Sequence, residues 1–128
     1  MYEVVRRLYD IDVVPATDVV TWHVDVQTFD IKKDGQRVAR FYLDLFARPN
    51  KQGGAWMDEC RVRRKVKAAG EEVASIQLPV AYLTCNFTGP VGDAPALLTH
   101  DQVVTLFHEF GHGLHHMLTK VSAAGVSG

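Results

Sequence analysis

The spacing of apolar residues divides the chain into a short helix, a run of strands and a longer second helix. Near the start, Val4, Val5 and Leu8 fall at helical spacing with charges between them, and Pro15 marks the exit. From Val20 to Lys32 the chain is rich in β-branched and aromatic residues and reads as a strand. Its alternation is imperfect: Val24 and Val26 point one way, Phe29 and Ile31 the other. Either both faces are covered or a bulge sits near Gln27-Thr28. Asp34-Gly35 is a hairpin-turn signal, and a partner strand follows from about Arg37 to Ala47. Phe41, Leu43 and Leu45 line one of its faces, and Tyr42, Asp44 and Phe46 the other. A carboxylate such as Asp44 in a half-buried strand needs a partner or solvent.

Residues 48–56 read as a loop. Residues 58–72 are dense in charge, with Arg61, Arg63, Arg64, Lys65 and Lys67 close to Glu59, Glu71 and Glu72. They read as a solvated connection, the alternative being a rim that attracts acidic substrate groups. A further strand runs roughly from Ala74 to Phe87. Pro79 has no N–H to give, so this strand lies at an edge or begins after the proline. Gly89, Pro90, Gly92 and Pro95 make a loop of residues 88–98. Thr99 and Gln102 then form a capping box, opening a helix from His100 to about Lys120. Val103, Leu106, Phe107, Phe110, Leu114, Met117 and Leu118 share one stripe of it, with His108 and His112 nearly opposite. The small, Gly-rich stretch from Ser122 to Gly128 ends it.

This pattern predicts an α+β fold. A small, mostly antiparallel sheet of three or four strands, within residues 20–87, packs on the long helix (roughly 99–121) through Phe107, Phe110, Leu114 and Met117. All 128 residues form one segment. A hydrophobic content of 47% suffices for one modest core. The net charge of −1, from 14 basic and 15 acidic residues, leaves no nucleic-acid footprint. No apolar run reaches the roughly 20 residues that span a bilayer, and the N-terminus lacks a secretory pattern. Two widely spaced cysteines, Cys60 and Cys85, read as free thiols, with Cys85 a small buried hydrophobe. Together these features point to the cytoplasm.

The chemistry lies in His108-Glu109-Phe110-Gly111-His112. Two histidines four residues apart on a helix stand one above the other, so both imidazoles reach one tetrahedral Zn²⁺ without strain. Glu109, rotated about 100° from His108, lies beside the ion without being a ligand. Zinc acidifies water and polarises a scissile carbonyl, while Glu109 takes the water's proton as general base and returns it to the leaving amine. Gly111, inside a helix, costs about 1 kcal/mol against alanine; close approach of another backbone would account for it. His115 and His116 are read as non-ligands that support the site or pack, and His23 and His100 as surface or capping residues.

The segment from Leu106 to Thr119 resembles the active-site helix of the thimet oligopeptidase family of zinc peptidases. The resemblance extends to Trp22-His23, to Phe41-Tyr42-Leu43-Asp44-Leu45, to Arg48, to Lys51 with Gly53-Gly54-Ala55-Trp56, and to Pro79 through Phe87. It implies a zinc-dependent cytoplasmic peptidase acting on short peptides, with His108 and His112 as metal ligands and Glu109 as the catalytic glutamate. It also implies that the strand Ala81–Phe87 lies beside the helix, where an extended peptide could pair with it as an edge. Family members are several times longer and largely helical, and their third ligand is a glutamate on a later helix. No glutamate follows Glu109 here, and Gly128 stands sixteen residues past His112. The chain is therefore expected to be a zincin-like fragment of a monomeric parent, inactive alone and prone to self-association. The alternative is a non-catalytic module that binds peptides or metal weakly.

Overall fold

A computed structural model describes residues 1–67, 69–70 and 72–128; Glu71 of the charged stretch lies outside them. Helix α1 spans Tyr2–Tyr9 and helix α2 spans His100–Leu118. Between them come β1 (Asp12–Pro15), β2 (Gln27–Lys33), β3 (Gln36–Phe46), β4 (Trp56–Arg61), β5 (Arg64–Val66), β6 (Ser75–Gln77) and β7 (Val80–Phe87). The main sheet has five strands in the order β1-β2-β3-β7-β4, and β5 and β6 form a separate antiparallel pair. Within the main sheet β3 and β7 run parallel and the other pairings are antiparallel.

Each face of the sheet has its own character. Toward the helices point Ile31 of β2, Ala39, Phe41 and Leu43 of β3, and Ala81 and Leu83 of β7. They bury against Val5, Ile11, Phe110, Leu114 and Met117. Phe41 is the hub, with Phe29 stacked at 5.2 Å and Phe110 edge-on at 5.4 Å. On the opposite face Trp22, Tyr42 and Tyr82 form a triangle with centroids 5.3, 5.5 and 5.4 Å apart.

Several elements differ from the pattern reading, each for a local reason. The sheet has five strands because the charged segment after Trp56 adds β4 at the edge; its outer residues Asp58 to Arg61 are solvated there. Val20 to Val26 is not strand. A turn built on His23, whose carbonyl accepts from Val26 N (3.1 Å) and whose Nδ1 accepts from Asp25 N (3.2 Å), breaks the run and exposes Val20 and Val24. The bulge sits between Ile31 and Lys32. Pro15 closes β1, and α1 stops at Asp10, whose φ of 54° is left-handed. The strand expected from Ala74 to Phe87 is split into β6 and β7, and β7 begins after Pro79, the second of the two readings the proline allows. Asp34 (φ 52°) and Gly35 (φ 76°) make the tight hairpin turn.

The helix α2 also faces the sheet differently. Its buried residues are Phe110, Gly113, Leu114, His116 and Met117, while Phe107 is 40% exposed. The reason is Gly113. A Cβ built there would stand 3.2 Å from Leu83 Cδ2, so the bare backbone lets the helix settle onto β7 and turns Phe107 outward. The close approach expected at Gly111 is absent, with nothing within 4 Å of its Cβ position among the described residues. Gly111→Ala is therefore expected to raise stability by about 0.5–1 kcal/mol, read as a higher melting temperature. Gly113→Ala should gain less, since Leu83 must move.

Asp44 finds its partners. Arg48 grips its carboxylate with two hydrogen bonds (2.7 and 2.8 Å), Lys51 Nζ donates at 2.9 Å and Trp22 Nε1 at 3.1 Å. Burial alone would raise this carboxyl's pKa, but the donors from Arg48, Lys51 and Trp22 overcome that and hold it at about 2, against an ordinary 3.8. A depressed carboxylate stabilises the fold above its unfolded pKa, and the stabilisation fades as pH falls through the folded one. Stability on the order of 2 kcal/mol should be lost between about pH 4 and pH 2. Urea midpoints measured across that window should show the drop, and Asp44→Asn should flatten it.

Candidate active site

Capping fixes where α2 begins. Thr99 Oγ1 accepts from Gln102 N (3.2 Å) and Gln102 Oε1 accepts from Thr99 N (2.9 Å). Asp101 in the first turn suits the positive end of the helix. From that start, His108 and His112 emerge on one exposed face, their rings edge-to-face at 4.7 Å between centroids and their Nε2 atoms 3.1 Å apart. Two ring nitrogens so close repel unless a proton or a cation lies between their lone pairs. Nitrogens bound at roughly 2.0–2.1 Å to one tetrahedral zinc stand about 3.3 Å apart. The pair therefore fits a zinc ion with little rearrangement.

Glu109 is half-buried. Its charge is felt at Cys85 of β7, whose thiol is pushed up to about 11, first by burial and then by Glu109. Cys85 thus stays a neutral, buried thiol, and Cys60 is free and exposed. His115 is exposed and joins Tyr9, Gly111 and Leu118 around a shallow cleft. His116 is wholly buried, with Nε2 2.9 Å from the Arg61 carbonyl. His23 shapes its own turn, and His100 is an exposed first helical residue.

Among the described residues no group of three or more His, Cys, Asp or Glu side chains is arranged around a metal position. The chain brings two imidazole nitrogens together, and a catalytic zinc normally has three protein ligands. From Ala81 to Thr84 the strand is not an edge, because β3 and β4 flank it on both sides; Cys85 to Phe87 lie beyond the β4 pairing. The free edge beside α2 is β4, which packs against the helix together with β3 and β7. Its charged, exposed sequence hides it, since nothing local to Trp56–Arg61 encodes a pairing with residues 19 to 28 positions later.

A sheet under a capped helix that carries paired histidines and an intervening glutamate is the arrangement of a metallopeptidase. The chain belongs to peptidase family M3, whose pattern matches residues 1–128. It is 57% identical over 129 residues to "Oligopeptidase A" of Escherichia coli (strain K12), covering 100% of this chain and 18% of that protein. It is 40% identical over 124 residues to "Dipeptidyl carboxypeptidase" of Salmonella typhimurium, covering 96% of this chain and 17% of that one. It is 42% identical over 110 residues to "Thimet-like oligopeptidase" of Dictyostelium discoideum, covering 84% and 16%. The chain thus spans less than a fifth of the length of these relatives. Among the described residues no helix is long and apolar enough to cross a membrane.

A zinc ion held by His108 and His112 alone should bind weakly and depend on both. Titration followed by histidine NMR shifts is expected to show His108→Ala and His112→Ala each weakening binding by about tenfold or more, with His115→Ala near wild type.

Proposed function

We propose that the chain supplies the first zinc-binding helix and the peptide-facing strand of a zinc-dependent oligopeptidase that cleaves short peptides in the cytoplasm. The observation that carries this reading is the convergence of His108 and His112, Nε2 to Nε2 at 3.1 Å, with Glu109 between them on a capped helix. The membership in peptidase family M3 supports it. Two unpaired cysteines suit a reducing compartment.

When bound, zinc would acidify water and polarise the scissile carbonyl. The protein's own tasks are then distinct. His108 and His112 hold the ion. Glu109, beside them and partly shielded, accepts a proton from the attacking water and passes it to the leaving amine. β4 has no neighbouring strand on its outer side, where an extended peptide would add as a further strand beside α2. Pairing fixes the peptide backbone irrespective of its side chains, which suits an enzyme acting on varied short peptides. The third ligand and the oxyanion donor come from groups outside these 128 residues.

The alternative, a non-catalytic module, draws on the two-ligand site. Assays on a fluorogenic peptide separate the readings. Residues 1–128 alone, with zinc added, are expected to give no turnover, and the full-length polypeptide carrying them to give chelator-sensitive turnover. In that polypeptide Glu109→Gln should lower kcat by about 10²–10⁴-fold with zinc content unchanged. Robust turnover by the 128 residues alone, or full activity after Glu109→Gln, would overturn the proposal.

A further inference from the structure

We propose that His116 is a positioning residue, which ties the far end of β4 to the helix bearing His108 and His112 and so sets the peptide-binding edge relative to the metal. This rests on the reading of β4 as that edge. His116 lies four residues after His112 and eight after His108, about one and two turns along the same helix. It is 0% exposed, and its Nε2 stands 2.9 Å from the carbonyl oxygen of Arg61, the last residue of β4. A carbonyl only accepts, so Nε2 carries the proton. Nδ1 is buried and has no partner among the described residues. Among these the imidazole makes a single polar contact, and that contact crosses from α2 to β4.

The position of the contact matters. β4 pairs with β7 on one side only, and that ladder is irregular between Glu59 and Arg61. At its other end Met57 packs into the core. The bond from His116 therefore holds the strand where sheet pairing is weakest. It is made possible by Gly113, one turn earlier on the same helix face, which brings α2 down onto β7. The C-terminal residues lie against the helix at this point: a Cβ at Gly128 would lie 2.8 Å from His116 Cα, and Ser127 is buried. A side chain this enclosed, with one directed bond to backbone, fixes the distance between two elements. A shift of about 1 Å at a reacting centre can cost on the order of 10²-fold in rate.

Three variants of the full-length polypeptide test this. His116→Gln keeps an N–H donor near the place of Nε2; His116→Asn keeps the amide but falls short; His116→Leu removes the donor. On an extended fluorogenic peptide, Asn and Leu are expected to lower kcat/KM by about tenfold or more, with zinc content unchanged, and Gln to stay within about threefold of wild type. Hydrogen exchange at the Met57–Arg61 amides should quicken in Asn and Leu but not in Gln. Gln and Asn bury the same group, so a loss of stability alone would not separate them. The proposal is overturned if Gln and Asn behave alike in both readouts, or if losses in kcat/KM merely follow melting temperature. Should Leu fail to fold, the Gln and Asn pair decides. The exchange measurement reads the anchor directly, whereas retained activity in Glu109→Gln would count against the peptidase reading instead.

Discussion

The parallel pairing of β3 with β7 is the constraint on which the rest of this structure depends. It sets Phe41 beside Ala81 and Leu43 beside Leu83, the apolar surface on which α2 lies. Parallel neighbours cannot be joined by a tight turn. The chain between them must travel out and back, and on the way it forms β4, β5 and β6. β4 then closes on the far side of β7 and becomes the edge nearest the helix. Lys51 fastens the pair near the C-terminal ends of both strands: its ammonium donates to the carbonyls of Asp44 and Phe46 on β3 and of Cys85 on β7. That ammonium is nearly inaccessible, and it sits against the Asp44 carboxylate, so its charge is compensated where it is buried.

The two faces of the sheet divide the work. One is apolar and receives the helices; the other carries Trp22, Tyr42 and Tyr82 with the Asp44 cluster beneath. Removing one member of such a cluster leaves a buried charge without its partner, which costs more than the pair contributes. The segment Trp22, Asp44, Arg48 and Lys51 is therefore best understood as scaffold. It sits on the opposite side of the sheet from the histidines and serves them by holding β3 and β7 in register.

On the helix the division is rotational. The same nineteen residues of α2 present buried packing groups toward the sheet and two exposed imidazoles away from it, with Glu109 between. Gly113 sets the depth of the helix, and His116 ties it to β4. A small residue and a polar one thus lie in the middle of what hydrophobic periodicity treats as a purely apolar seam. That is why the periodic stripe ran through Phe107, whereas the contact face is turned toward Gly113 and His116.

The helix, its capping box, the hairpin at Asp34-Gly35 and the shared face of His108 and His112 were legible from the sequence alone. Each is set by interactions within a few residues, where helical and strand periods apply directly. The need of Asp44 for a partner was also legible, since a carboxylate on a half-buried strand cannot stand alone. The identity of the partners, the central place of β7, the edge role of β4 and the burial of His116 were decided only by the tertiary structure. All four follow from pairings between distant segments, whose stabilisation appears only when the strands meet. The resemblance points to β7, the more hydrophobic strand, as the edge on which a peptide could pair. It is hydrophobic because it is covered on both sides, and the strand with the free edge is charged because water reaches it.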